Sequence, residues 1–376
     1  MKFVISSSEL LSHLTAIGRV ISAKNTLPIL DNFLFNLDGN DLLITASDLE
    51  TTLSTKLTVE NASDSGIIAL PAKILNDTLK EFSDQPLTFD INLDTLAVVI
   101  ISENGRFNIV GQKGLDYPQL PILKEDKKNT LILDPEILLS GIGKTLFATA
   151  DDELRPVMNG IFLELSVESI TFVSSDAHKL VRYKRTDAKA DQDSSFILPK
   201  KPASLLKSIL PKEDDQVKIE FDDKNACFTL SDFKLVCRLV EGNYPSYNSV
   251  IPHDNPNKLT IDRVELYNTL KRVSVFSNQA SNLVKLQLSG NQITISAQDI
   301  DFSISAYERL NCQYEGDEME IGFKSVFLIE ILSNLPSDEV VFELSDPSRA
   351  GIMVPSEKEI EEEDILMLLM PMMIGT

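Results

Sequence analysis

The sequence predicts an α+β fold in which one domain is written three times, and three observations predict it. A short alternating strand that climbs to a small polar residue and then an Asp recurs as Leu43-Ile44-Thr45-Ala46-Ser47-Asp48-Leu49, as Ile170 to Leu180 around Asp176, and as Ile293 to Ile300 around Asp299. From Asp48 to Asp176 is 128 residues, and from Asp176 to Asp299 is 123, a long-period internal repeat. Around each figure the same order of helix, strands, helix, strands is legible. The strands alternate apolar and polar residues, as half-buried antiparallel strands do.

In the first repeat, Leu10, Leu11, Leu14, Ile17, Val20 and Ile21 fall at helical spacing, with Ser7 or Ser8 placed to cap the start. Thr26-Leu27-Pro28-Ile29-Leu30 breaks that helix. Residues 51–59 set Leu53, Leu57 and Val59 against Ser54, Lys56 and Thr58. Ile67 to Leu70 is a strand stopped by Pro71, which then opens a helix to Phe82 from the favoured first position. Strands return at 87–91, 96–101 and 106–110, Tyr117-Pro118 closes the repeat, and Lys124 to Lys128 reads as a linker.

The second repeat follows the same order. Pro135 to Ala148 is a helix, and Gly160 to Leu165 is a strand with Ile161, Leu163 and Leu165 inward. Phe196-Ile197-Leu198 runs into Pro199 and a helix to Leu210, as Ile68-Ala69-Leu70 runs into Pro71. Strands at 217–221, 226–230 and 234–240 lead to Tyr244-Pro245-Ser246-Tyr247, and Ile251 to Lys258 reads as a second linker. The third repeat has a helix from Asp262 to Phe276, strands at 284–288, 292–297 and 300–306, a helix from Lys324 to Leu335, and strands at 339–344 and 350–354. The resulting bounds are 1–124, 129–253 and 258–376. Each repeat packs two helices on one face of an antiparallel sheet. Unpaired sheet edges invite another chain, so three repeats in an arc would close through a second copy.

Composition narrows the function. The chain has 376 residues, and a third of it, about 125, is an ordinary domain size. No apolar run approaches the roughly 20 residues of a membrane helix. Met1 to Glu9 turns polar too soon for a signal peptide. Cys227, Cys237 and Cys312 suggest neither a disulfide framework nor a zinc site. A reduced, cytoplasmic protein is expected. The formal charge of −22 argues against a nucleic-acid binder of the usual basic kind, although the predicted helices hold much of the Lys and Arg. Glu357 to Asp364 is an acidic run that reads as a solvated loop.

Catalytic and metal chemistry find little support. Gly141-Ile142-Gly143-Lys144-Thr145 resembles the end of a phosphate loop, but the required upstream Gly is Leu138 and the stretch sits in a helical pattern. Ser174, Ser175, Asp176 and His178 carry the letters of a triad, yet they crowd one turn, where triads gather from distant parts of a fold. An Asp turn after a strand accounts for them. His13, His178 and His253 are scattered, against a metal cluster. No cofactor is implied. The C-terminal run Ile365 to Ile374 holds four of the eight methionines, at 367, 370, 372 and 373. It reads as a last core strand, or as an adaptable apolar surface of the kind that fits several partners. Pro371 leaves Met372 to Ile374 outside any central strand.

Over its whole length the chain resembles the bacterial DNA polymerase III β subunit family, the β sliding clamps. The resemblance is carried by Met1-Lys2-Phe3, Thr26-Leu27-Pro28-Ile29-Leu30, Ser47-Asp48-Leu49-Glu50, Asn159-Gly160, Asp176-Ala177-His178-Lys179-Leu180, Tyr244-Pro245-Ser246-Tyr247, Met319-Glu320-Ile321-Gly322-Phe323 and Met370-Pro371-Met372. It implies three clamp domains per chain and a head-to-tail homodimer, a ring of six domains with helices lining a hole for duplex DNA. It implies no catalysis. The partners it implies are sequence-independent duplex DNA, the replicative polymerase catalytic subunit, the clamp loader, and other repair and replication proteins. A topologically linked ring needs only weak phosphate contacts, which reconciles it with the acidic chain.

The resemblance also implies sites. A groove for partner peptides is expected from Arg155, Met158, Ser175, Ala177, His178, Lys179, Leu180, Pro245, Ser249, Val250, Leu368, Leu369, Met370, Pro371, Met372 and Met373. DNA contacts are expected among Lys24, Lys73, Lys80, Lys144, Lys200, Lys201, Lys207, Lys271 and Arg272, with Lys24 and Lys73 matching the family most directly. The ring joint is expected from Phe107 and Ile109 on one edge against Val275 and Phe276 on the other. The chain departs from the family's pattern at Ala177, where Gly is common, and at Ser249 and Met373, where Arg is common. Pro156 and Val157 replace frequent tyrosines, and Gly375 and Thr376 extend past the usual end. Competing readings are an enzyme built on the Ser174–His178 turn and a structural repeat scaffold with no nucleic-acid role.

Overall fold

A computed structural model describes residues 1–119, 121, 123 and 128–374. Most of the linker expected at 124–128, and Gly375 and Thr376, lie outside the described residues. Six helices of eight or more residues are described: α1 (Ser7–Ile17), α2 (Ala72–Leu79), α3 (Pro135–Thr145), α4 (Lys200–Ile209), α5 (Arg263–Ser274) and α6 (Ser325–Asn334). The chain divides into two compact units, Met1–Leu139 with Lys201–Leu239, and Ser140–Lys200 with Val240–Thr376.

Helix ends refine the sequence reading. Ser6, not Ser7 or Ser8, caps α1: its hydroxyl accepts from the Glu9 amide at 3.3 Å, while Ser7 Oγ donates to the Ser83 carbonyl at 2.9 Å. Asp262 caps α5 by accepting from the Glu265 amide at 2.7 Å. Pro71 and Pro199 are not first helical residues. Each ends a strand, paired with Asn32 and Gly160, and the helix starts one residue later.

Each unit holds two antiparallel sheets. In the first unit, a five-stranded sheet orders its strands 60–63, 2–6, 86–91, 97–101 and 106–110. A nine-stranded sheet orders 112–113, 66–71, 32–38, 41–47, 51–58, 233–238, 225–229, 217–221 and 129–133. In the second unit, a nine-stranded sheet orders 194–199, 160–165, 170–175, 179–185, 363–369, 351–355, 339–344, 257–262 and 313–315. A four-stranded sheet orders 304–311, 292–299, 283–289 and 319–324. Helix α1 touches α2 and strands of both sheets in its unit, α2 touches strands 32–38 and 66–71 of the nine-stranded sheet, and α5 and α6 touch each other and strands of both sheets in theirs. The helix pair thus lies between two sheets rather than on one face of one, and each first helix buries one stripe: Leu10, Leu14 and Ile17 on α1 and Leu266, Leu270 and Val273 on α5.

The repeat is exact in register between the first two copies. Shifting by 128 carries Leu34↔Thr45 onto Phe162↔Val173, Thr45↔Ser54 onto Val173↔Arg182, and Leu34↔Ala69 onto Phe162↔Ile197. Each nine-stranded sheet is also joined between repeats in the same way. Strand 51–58 pairs with 233–238, with Thr51↔Cys237 and Leu53↔Leu235. Strand 179–185 pairs with 363–369, with Lys179↔Leu369 and Val181↔Met367.

Three expectations need correction. The strand expected at 300–306 begins at Ile304. Residues 300–303 form a turn, in which the Ser303 amide donates to the Ile300 carbonyl at 3.2 Å and Ser303 has φ 54°. Alternation continued through Ile300 and Phe302 because both are exposed on the turn. The second linker is tied down along its length: Ile251 is buried in a core cluster, Asn255 Nδ2 donates to the Glu343 carbonyl at 2.9 Å, and Asn257 opens a strand. The C-terminal run divides, Glu363–Leu369 being a core strand and Met370 onward leaving the sheet.

Candidate functional site

The turn around Asp176 is built by its own side chains. Asp176 Oδ1 accepts from the amides of His178 and Lys179 at 2.9 and 2.8 Å, and Ser175 Oγ accepts from the Ala177 amide at 3.1 Å while donating to the Lys179 carbonyl at 2.8 Å. Asp48 and Ser47 do the same for Leu49, Glu50 and Thr51. This is an Asx turn. Its third residue is left-handed in both copies, Leu49 at φ 78° and Ala177 at φ 73°. A glycine adopts that conformation without a Cβ penalty, which explains physically why Ala177 is a departure. The triad letters do no joint chemistry: Ser174 Oγ is buried against the Thr145 carbonyl at 2.5 Å, and the His178 ring stacks on Phe327 at 5.7 Å. Among the described residues no group of His, Cys, Asp and Glu could hold a metal ion.

From this turn, the strand alternation decides which expected groove residues share a face. Leu180 stands opposite Leu368. Both belong to one buried cluster with Val173, Tyr247, Ile251 and Ile352, against which Phe162, Tyr244 and Val354 pack. Tyr244 stacks on Phe162 at 4.8 Å with planes 6° apart, and Tyr247 donates to Glu164 Oε2 at 2.5 Å. Lys179 and Leu369 belong to the alternate set of ladder positions. Leu369 is fully buried, and Lys179, 4% exposed, carries its ammonium to Asp176 and Glu330, 2.9 Å from each, with the Phe327 ring 4.3 Å away.

The remaining wall comes from the tail and two loops. The Met370 amide donates to the His178 carbonyl at 2.8 Å, and the Met372 amide donates to the Gly322 carbonyl at 2.8 Å. A Cβ on Gly322 would lie 2.9 Å from the Met372 carbonyl oxygen, so the tail's approach needs a glycine there. Met370 and Met373 are exposed, the latter at 86%, as is Val250. Ser249 Oγ is turned to the Ser246 carbonyl at 2.6 Å, and Pro245 is exposed. Met158 is buried beside exposed Arg155, whose Nε donates to Asp152 at 2.8 Å. Sequence reasoning named neither Phe162 nor Phe327 as part of this neighbourhood. The signal for Phe162 was a large aromatic on the face opposite the inward Ile161 and Leu163.

Why this apolar floor occurs once is also legible in the repeats. The counterparts of Val173 and Leu180 are Thr45 and Thr52 in the first copy, and Thr52 shares a hydroxyl bond with Ser47 at 2.8 Å. In the third copy they are Ser296 and Ser305, fixed by Ser296↔Tyr307 and Gln298↔Ser305. The tyrosine pattern is shared by the first two copies: Tyr117 lies by the Ser47 backbone and Tyr244 by that of Ser175, and burial pushes the Tyr117 phenol up to about 12 and raises that of Tyr244 as well.

The expected DNA-contacting cations divide into two sets. Lys144 is held by Glu363 at 2.5 Å, with Tyr183 donating to the same carboxylate at 3.0 Å. Lys201 binds Asp48 and the Val20 carbonyl. Arg272 makes a two-pronged pair with Glu308 at 2.8 and 2.6 Å. Lys271 lies over the Tyr267 ring at 5.3 Å. Lys24, Lys73, Lys80, Lys200 and Lys207 are exposed, Lys80 with Asp77 at 3.6 Å. Of the expected joint residues, Phe107 and Ile109 lie on the strand that ends the five-stranded sheet among the described residues. Val275 and Phe276 follow α5, with 73% and 37% of their surfaces exposed.

Comparison with known proteins identifies the family. Family models for the N-terminal, central and C-terminal domains of the DNA polymerase III beta subunit match residues 1–121, 132–246 and 248–373. The beta sliding clamp of Synechocystis sp. is 31% identical over 94% of this chain and 96% of its own length. The crystal structure of the sliding clamp of Pseudomonas aeruginosa, bound to griselimycin, superposes with a TM-score of 0.93 at 26% identity, and that of Bartonella birtlesii, also bound to griselimycin, with 0.91 at 28%. Each covers all of both chains. This chain belongs to the DNA polymerase III β subunit family, the β sliding clamps.

Proposed function

We propose that two copies of this chain close head to tail into a ring around duplex DNA, and that the groove beside the Asp176 turn takes short extended peptides of the polymerase catalytic subunit, the clamp loader and other factors. The chain is a DNA sliding clamp, a non-catalytic factor that makes polymerase processive.

One observation supports the ring above the rest: the same strand-to-strand joint occurs twice inside the chain, and the two halves of a third are left over. A shift of 128 carries Ala97↔Val110 onto Asn225↔Arg238, so strand 106–110 is the counterpart of 233–238. Strand 304–311 is the counterpart of 51–58 and 179–185. Both are outer strands of their sheets among the described residues, and unpaired edges seek partners. Transferring the register of the internal joints sets Ile304 opposite Ile109 and Ala306 opposite Phe107 of the second copy.

DNA passes with weak, sequence-independent phosphate contacts. Since Lys144, Lys201 and Arg272 are engaged in ion pairs, the contacts fall to exposed cations such as Lys24, Lys207 and Lys271. The peptide groove offers Leu180 and Leu368 as floor and Met370, Met372 and Met373 as a wall that re-packs around different anchors. The test of the ring is Phe107→Asp or Phe276→Asp, read by sedimentation velocity. Either variant should give monomer, and an unchanged dimer in both would contradict the assignment.

A further inference from the structure

Each of the first two repeats closes by laying a tyrosine on its own sheet, and the third keeps the seat without the ring. After its last strand, every repeat runs back onto the strand that precedes its second helix. Gln112 pairs with Ala69, the Val240 amide donates to the Ile197 carbonyl at 3.1 Å, and the Met372 amide donates to the Gly322 carbonyl at 2.8 Å. The first segment continues to Tyr117, which packs with Ala69 and Leu34, and the second to Tyr244, stacked on Phe162. A proline follows each tyrosine, whereas the third segment continues to Met373 and Ile374, with no ring.

Ladder register locates the third seat. The shift of 123 that carries Asp176 onto Asp299 carries Val173 onto Ser296. Phe162, opposite Val173, then becomes Lys285, opposite Ser296. Leu180, opposite Ser175, becomes Ser305, opposite Gln298. Lys285, Ser296 and Ser305 therefore stand where the second repeat sets the cluster against which Tyr244 packs. They line a cavity of about 520 Å³, with Leu283, Tyr307 and Ile374 as its apolar walls.

We propose that this cavity is a docking site separate from the Asp176 groove, and that it takes a tyrosine, followed by proline, from an extended segment of another protein. The walls suit an aromatic ring: Tyr307 is 66% exposed, and Leu283 and Ile374 are half-buried. The floor suits a phenol more than a plain ring. Ser296 and Ser305 offer hydroxyls, which a phenylalanine would cover without a partner. The Lys285 ammonium, held by Glu320 at 3.0 Å, puts a cation and its methylene stem where Phe162 stacks on Tyr244 in the second repeat. A residue before proline is restricted to extended backbone, so a Tyr-Pro segment loses little freedom on seating. The cavity lies on the four-stranded sheet, and Leu180 and Leu368 lie on a nine-stranded one, so the two can be filled independently.

The probe is acetyl-Asn-Tyr-Pro-Ser-Tyr-amide, the sequence of residues 243–247, added to the whole chain. Saturation-transfer NMR should show millimolar binding, lost when the first tyrosine of the probe is replaced by alanine. Ser296→Trp should block the seat. Ser296→Val with Ser305→Leu, which copies the floor of the second repeat, should tighten binding at least tenfold, as added apolar burial does. Neither serine is buried, so circular dichroism should not change. A peptide of the polymerase catalytic subunit, held in the groove, should not displace the probe. No transfer at millimolar probe, or transfer that both serine variants leave unchanged, overturns the proposal. Displacement by the polymerase peptide puts the probe in the groove, which overturns the second site and leaves the groove reading intact.

Discussion

Leu180 and Leu368 stand opposite one another in the ladder that joins strands 179–185 and 363–369, and both are buried in one cluster with Tyr247. The contact ties the Asp176 turn to the C-terminal tail, the two sides of the proposed partner groove. Deleting residues 370–376 removes the tail wall and leaves this ladder in place. Fluorescence anisotropy with a partner peptide should show binding lost at least tenfold, while sedimentation still reports a dimer.

Ala177 holds φ 73°, a conformation that costs an L-residue roughly 1 kcal/mol relative to glycine. Ala177→Gly should therefore raise stability by at most about 0.6 kcal/mol, after the roughly 0.4–1 kcal/mol of extra unfolded-state glycine entropy is subtracted. Denaturant unfolding measures it. A loss of stability would mean the methyl makes a contact that outweighs the strain.

Lys144 and Glu363 form a pair whose side chains are 17% and 7% exposed. Removing one partner of such a pair strands the other charge, at a cost of about 3 kcal/mol. Tyr183 still donates to Glu363, so Lys144→Met should fall somewhat below that figure. The salt dependence of DNA binding should not change, because this lysine is already occupied. A shallower salt slope would return Lys144 to the DNA-facing set.

His13 gives the stability a pH dependence. Its Nδ1 lies 2.6 Å from Thr55 Oγ1, which itself donates to the Asp232 carbonyl at 2.9 Å, so Nδ1 carries the hydrogen. Burial lowers its pKa below the usual 6.5, against the pull of Asp232 and Glu9 and with a smaller push from Lys212. The unfolded chain then binds the proton more readily than the folded one. Its contribution is full above about 6.5 and declines as pH falls toward the lowered folded value. In His13→Gln the decline in melting temperature between pH 7 and 5 should be smaller than in the parent chain.

Much of this was legible in the sequence because the repeat is written in side chains that build backbone. Ser47-Asp48 and Ser175-Asp176 make the same turn, and Leu-Pro ends the strand before both α2 and α4. The surroundings of the proposed groove were less legible, since period-two alternation assigned Leu180 and Leu368 to a strand without naming the buried cluster they join, which holds Tyr247 and has Phe162 packed against it. The turn at 300–303 was misread because exposed Ile300 and Phe302 mimic inward alternation. Nor does a list of lysines show which are paired: Lys144, Lys201 and Arg272 meet carboxylates distant in sequence.

The central claim is topological, and so is its sharpest test. The chain, loaded with a clamp loader and ATP onto nicked circular DNA, should stay bound through gel filtration in high salt and be released when the circle is cut once. Equal loss from circular and linear DNA would contradict a closed ring.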